Sequence, residues 1–235
     1  MPKPQLKKIE EHLQFLVGER NPFTEPDHLE KIRLYITKQF ESFNLSVNQE
    51  AVDFENSRSF NITGKPTGTQ STPFVLAAHI ARCLADHTFH TPIIFSAFTL
   101  EEYGFIGSRH FIEKAVTRNE TFSGMISLEM LGYKTNAPQS QTYLPYVDTE
   151  KYPDSGDFIA VVGNEPSAQL TQSLAKGMKQ HVPSLKVETL VVPGTGENFS
   201  EVRLSDHAPF WDAGIPAVMV HRHSIFSQST LSQTL

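Results

Sequence analysis

Apolar positions recur along this chain in two rhythms. Leu6, Ile9, Leu13, Leu16 and Val17 stand at helical spacing, which predicts a helix over Leu6 to Val17. Asn21-Pro22 breaks it. Leu29, Ile32, Tyr35, Ile36 and Phe40 then share one face of a second predicted helix, Pro26 to Phe43, with Thr24 as N-cap and Pro26 in the first turn. From there the rhythm shortens. Leu45 to Phe54 and Phe60 to Thr63 alternate or nearly so, as strands do, and Gly64 to Gly68 reads as a turn. Phe74 to His79 and Ile93 to Phe98 are continuous apolar runs, the pattern of strands covered on both faces. Between them Ala81 to His87 has room for one or two helical turns.

A helical pattern over Ser108 to Val116 leads to a strand, Gly124 to Met130. The polar segment Gly132 to Gly156 carries prolines and tyrosines and is long for a loop, which implies a binding or lid role. Then come a strand at Phe158 to Val162, a helix at Pro166 to His181 and a strand at Leu185 to Val192. A glycine-bearing loop, Pro193 to Glu201, precedes a short helix at Ser205 to Asp212 and a last strand at Pro216 to Val220. This alternation predicts an α/β fold, a three-layer sandwich whose mainly parallel central sheet is flanked by helices. Neither repeat nor linker interrupts it, so a single domain over residues 1–235 is expected.

The composition narrows the class. A chain of 235 residues can bury one core. Hydrophobic residues make up 39% and charged residues 20%, values that suit a globular protein. A net charge of −6 gives a nucleic-acid partner no support. No apolar run reaches membrane-spanning length. Charges occupy the place where a signal peptide would be apolar, so a cytoplasmic location is expected. Cys83 is the only cysteine, which excludes an intrachain disulfide and thiolate zinc clusters.

The chemistry gathers at strand ends. The run Ile93 to Phe98 stops at two adjacent carboxylates, Glu101 and Glu102, followed by a loop from Gly104 to Gly107. In open α/β sheets, ligands sit beyond the carboxyl ends of strands. There, one carboxylate can hold a metal while its neighbour moves a proton. A lone pair of glutamates reads first as a solvated acidic turn. His79 and Glu129, however, also end apolar runs, and imidazole plus carboxylates from separate elements is a donor set for hard or borderline divalent ions.

Four segments, in order, resemble family twenty-eight of the metallopeptidases, the co-catalytic zinc aminopeptidases and their glutaminyl cyclase relatives. FVLAAH resembles the strand with the first histidine ligand, and LEEYGFIGSRHF the family signature. SLEMLGY resembles the next ligand strand, which usually has Asp where this chain has Glu129. SDHAPFWDAGIPAVMV resembles the penultimate motif. The resemblance implies Glu101 as general base, Glu102 as ligand of one zinc, and His79 and Glu129 as ligands of the other. Asp206 would lie behind the ligands or near the substrate amine, and His207 would be structural. The implied partner is a peptide or amino-acid amide, cleaved at its N-terminal residue by a metal-activated water.

The chain also departs from that family. There the first histidine opens an H-x-D motif and leads to a loop with a metal-bridging aspartate. Here His79-Ile80 runs directly into Ala81-Arg82-Cys83-Leu84, and Asp86 is the nearest acid. After Val220 the family has a T-D-T-x-F-x-R-N-P-x-Y-H loop, whose last histidine binds zinc. This chain reads HRHSIFSQSTLSQTL. One legal encoding of that tail, read a base later, gives Thr-Asp-Thr-Ala-Phe-Phe-Arg-Asn-Pro-His-Tyr-His-Lys-Pro. Residues 221–235 are therefore expected to be a non-native tail on a C-terminally incomplete domain, with His221 and His223 accidental. Zero or one zinc is expected in place of two, and the aminopeptidase chemistry is expected to be impaired. The alternatives are a non-catalytic remnant on the same scaffold and, third, a glutaminyl cyclase.

Overall fold

The computed structural model describes residues 6–66, 72–77, 81–84, 89–132 and 134–222. The chain forms two compact units, Met1–Ser123 and Gly124–Leu235.

The first unit runs α1 (Leu6–Leu16), α2 (Pro26–Ser42), β1 (Leu45–Phe54), β2 (Ser57–Pro66), β3 (Phe74–Ala77), α3 (Ala81–Leu84), β4 (Ile93–Ala97) and α4 (Ile106–Thr117). Its strands lie in the order β1-β2-β4-β3. β1/β2 and β2/β4 are antiparallel, and β3/β4 is parallel. Alternation along β2 places the helices on its two faces. Phe40 of α2 packs against Gly64, and Arg33 of α2 lies over the Phe60 ring, both at even positions. Asn61, at an odd position, meets the first turn of α4. The result is helix, sheet, helix.

Two expectations change here. Gly64, Lys65 and Pro66 belong to β2 and not to a turn, since the β1/β2 ladder continues to Leu45↔Pro66. Gly64 is glycine because a Cβ there would come 2.8 Å from the Phe40 ring and 2.9 Å from Leu45 Cδ1. Pro66, which has no N–H, ends the strand, where proline is tolerated. Thr67 and Gly68 lie outside the described residues. In α1 the expected apolar stripe is not the packing face. Phe15 stacks on Tyr35 of α2 at 4.0 Å and His12 meets the Tyr35 hydroxyl, while Leu6, Ile9, Leu13 and Val17 stay exposed.

The second unit runs β5 (Gly124–Glu129), β6 (Phe158–Asn164), α5 (Ala168–His181), β7 (Lys186–Val192), α6 (Ala208–Asp212) and β8 (Ala217–Arg222). Its order is β5-β8-β6-β7, with β5/β8 and β6/β7 parallel and β6/β8 antiparallel. β6 is buried along its whole length, which explains its unbroken apolar run. One face carries Ile159, Val161, Val187, Val218 and Val220 against Ala175, Leu170, Leu174 and Met178 of α5. On the other face Ser127 meets Ser205, just before α6, whose buried Trp211 donates its indole N–H to the Ala217 carbonyl at 2.8 Å. The protein is thus α/β, with a mixed sheet flanked by helices.

The last strand goes further than expected. His221 and Arg222 continue β8, pairing with Ala160 and Ile159. Residues 223–235, His223 included, lie outside the described residues. The long segment after β5 folds on itself. Leu144 and Val147 are buried with Tyr143, Tyr152 and Leu190, and the Tyr152 hydroxyl donates to the Thr189 carbonyl at 3.0 Å. No helix of the described residues is long and apolar enough to cross a membrane.

Candidate functional site

In the first unit, the chain leaves β4 and enters a 3-10 turn, Glu101–Tyr103. Leu100 (φ 56°) before it and Phe105 (φ 61°) after it are in the left-handed region, as is Gly104. For a residue with a Cβ that conformation costs about 1–2 kcal/mol, and it persists only where surrounding bonds fix it. Those bonds are present. The N–H groups of Gly104 and Phe105 reach the Glu101 carbonyl at 3.1 and 2.9 Å, Ile106 reaches Leu100 at 3.2 Å, and Gly107 reaches Thr99 at 3.1 Å. Glu101 is half-buried and Glu102 exposed. The Tyr103 ring packs against Phe54 and Phe23 with centroids 5.5 and 6.0 Å away.

In the second unit, Glu129 ends β5. Its Oε1 accepts from the Ser205 hydroxyl at 2.5 Å and the Ser127 hydroxyl at 3.1 Å, and the two hydroxyl oxygens are 3.0 Å apart. Asp206 follows Ser205 and is half-buried. His207 is fully buried; its Nε2–H donates to the Val202 carbonyl at 2.8 Å, and its ring meets Trp211 edge-on at 4.5 Å. Burial pushes its pKa down to about 4.

Of the predicted site residues, Glu101 and Glu102 share one turn, and Glu129 and Asp206 are linked through Ser205. His79 lies outside the described residues, as does Asp86. Sequence reasoning missed Ser127, Ser205 and Asn61. The first two sit beside or within quoted motifs, but a serine there carries no distinct signal. Asn61 sits on what reads as the solvent face of a strand.

Among the described residues no three His, Cys, Asp or Glu side chains form a group able to hold an ion. The connection from β3 to α3 is residues 78–80, Ala-His-Ile, which carries no carboxylate. Glu102 in the first unit and Glu129 in the second are the described carboxylates of the predicted donor set, of a donor type that zinc accepts.

The family model described as Peptidase family M28 matches residues 70–231. The chain belongs to Peptidase family M28. It is 32% identical over 143 residues to "Uncharacterized protein YfbL" of Escherichia coli (strain K12), over 60% of this chain and 43% of that one. It therefore spans less than half the length of that relative. The Legionella pneumophila LapA aminopeptidase superposes with a TM-score of 0.68 at 16% identity, over 97% of this chain and 64% of that one. A Porphyromonas gingivalis glutaminyl cyclase superposes with a TM-score of 0.61 at 14% identity, over 94% and 83%. At these identities the two structures share the fold with this M28 chain.

The serine pair of this M28 chain can be tested directly. Ser205→Ala removes a hydroxyl that is fully buried and bonded to a carboxylate. A lost hydrogen bond to a charged group costs about 2 kcal/mol, so urea unfolding should shift by that amount. Ser200→Ala, at an exposed serine nearby, should leave it unchanged.

Proposed function

We propose that this chain is a zinc-dependent, aminopeptidase-like hydrolase acting on the N-terminal residue of peptides or amino-acid amides, with catalysis impaired. The observation that carries the hydrolase reading is the Glu101–Glu102 pair, presented just past the end of β4 in a strained but fully bonded turn. Glu101 takes the proton from the attacking water and returns it to the leaving amine. Glu102 of the first unit and Glu129 of the second are metal-ligand carboxylates in this reading, and His79 is the imidazole donor. Ser127 and Ser205 fix the orientation of the Glu129 carboxylate. Zinc, when bound, supplies Lewis acidity toward the scissile carbonyl. The impairment follows from the acid-free connection between β3 and α3.

Elemental analysis of the purified protein and an amino-acid amide assay test this together. The expected result is at most one equivalent of zinc and slow hydrolysis that falls steeply, to a small measurable residue, in Glu101→Gln. Two equivalents with fast turnover would refute the impairment. No hydrolysis with zinc or cobalt added would leave the scaffold as a non-catalytic remnant.

A further inference from the structure

The loop that carries Glu101 and Glu102 begins at Thr99 and closes at Gly107. Both ends are held by one side chain from elsewhere in the chain. Asn61 Oδ1 accepts the Thr99 N–H at 3.2 Å, and Asn61 Nδ2 donates to the Gly107 carbonyl at 2.7 Å. The partners are 38 and 46 residues away in sequence. Asn61 is 1% exposed, so neither bond can be exchanged for water.

An amide suits this position chemically. It offers an acceptor and a donor in one plane, as a neighbouring strand would. An aspartate could still accept from Thr99, but its second oxygen would face the Gly107 carbonyl, acceptor against acceptor. Gly107 completes the fit: a Cβ there would fall 2.5 Å from Asn61 Oδ1. The turn itself has two non-glycine residues in the left-handed region, so it does not hold its shape by local preference.

We propose that Asn61 is a positioning residue for the Glu101–Glu102 pair, holding both ends of the loop that presents them. It lies before residue 70, outside the segment matched by the family model. The proposal rests on the reading of Glu101 and Glu102 as catalytic, and its test has one arm that does not.

Asn61→Asp and Asn61→Ala are compared with the wild type. In the first arm, amide hydrogen exchange at Ile106 and Gly107 is expected to rise about tenfold, while Val161 and Val162 of β6 stay protected. In the second arm, kcat for amino-acid amide hydrolysis is expected to fall roughly 100-fold with KM nearly unchanged, the signature of a misplaced group. Placed in a Glu101→Gln background, Asn61→Asp should then add nothing. Unchanged exchange at Ile106 and Gly107 in both variants overturns the proposal. So does an equal further loss in the Glu101→Gln background. If the alanine variant unfolds, the aspartate variant, which keeps the Thr99 bond, decides; loss of Val161 and Val162 protection in both assigns Asn61 to overall stability and also overturns it. A wild type without hydrolysis counts against the proposed activity alone, and the exchange arm then decides the positioning role.

Discussion

Gly107→Ala is expected to destabilise the first unit by about 3 kcal/mol, the upper range for a group forced into a packed site. The new Cβ would lie 2.3 Å from the Thr99 carbonyl oxygen, 2.5 Å from Asn61 Oδ1 and 2.8 Å from the Thr99 nitrogen. None of these is the free end of a flexible chain, and the Gly107 N–H is itself bonded to the Thr99 carbonyl. Helix propensity works in the opposite direction. Gly107 is in the first turn of α4 at an ordinary φ, where alanine is favoured over glycine by about 1 kcal/mol. The clash should win. Gly177 supplies the comparison, because it lies in α5 with nothing within 4 Å of an added Cβ. Gly177→Ala should stabilise by up to about 1 kcal/mol. Urea unfolding of both variants checks the pair, and equal effects would contradict the packing argument.

The second large effect is a dependence on pH through His207. Its pKa is about 4 in the folded chain, against an ordinary 6.5, chiefly because the ring is wholly buried. The Val202 carbonyl works weakly in the opposite direction, and the Arg203 charge adds to the lowering. The folded protein therefore keeps the ring neutral where the unfolded chain takes up a proton. The stability this represents is intact above pH 6.5 and is lost as the pH falls toward 4, to a total of about 3 kcal/mol. Urea midpoints measured from pH 7 to 4.5 should fall more steeply in the wild type than in His207→Gln, which keeps a donor for Val202 but does not titrate. Parallel curves would show that His207 does not carry the effect.

Much of this was legible in the chain. The helices and strands of both units fall close to where apolar spacing places them, because each has one or two faces to bury. Glu101, Glu102 and Glu129 stand out in the sequence because they end apolar runs. Asn61 was not, and the reason is physical. Along β2, Ile62 is apolar while Ser59, Asn61 and Thr63 are polar, so the odd face reads as solvent-facing. In the structure that face is buried, with Asn61 meeting α4. Periodicity separates polar from apolar; it cannot separate a polar group facing water from one satisfied by backbone. Gly64 misled for a related reason, since glycine marks a turn and a close approach alike. The extension of β8 through His221 and Arg222 shows that pairing with β6 can continue after the apolar pattern stops.

The segment between β5 and β6 has a consequence for solubility. β7 ends the strand order of its unit, and it is there that the Tyr152 hydroxyl occupies the Thr189 carbonyl and Leu144 and Val147 pack with Leu190. A chain nicked or shortened in that stretch would free the Thr189 carbonyl and uncover Leu190 on that rim. Such rims recruit further copies strand to strand, so this strap acts as a guard against aggregation.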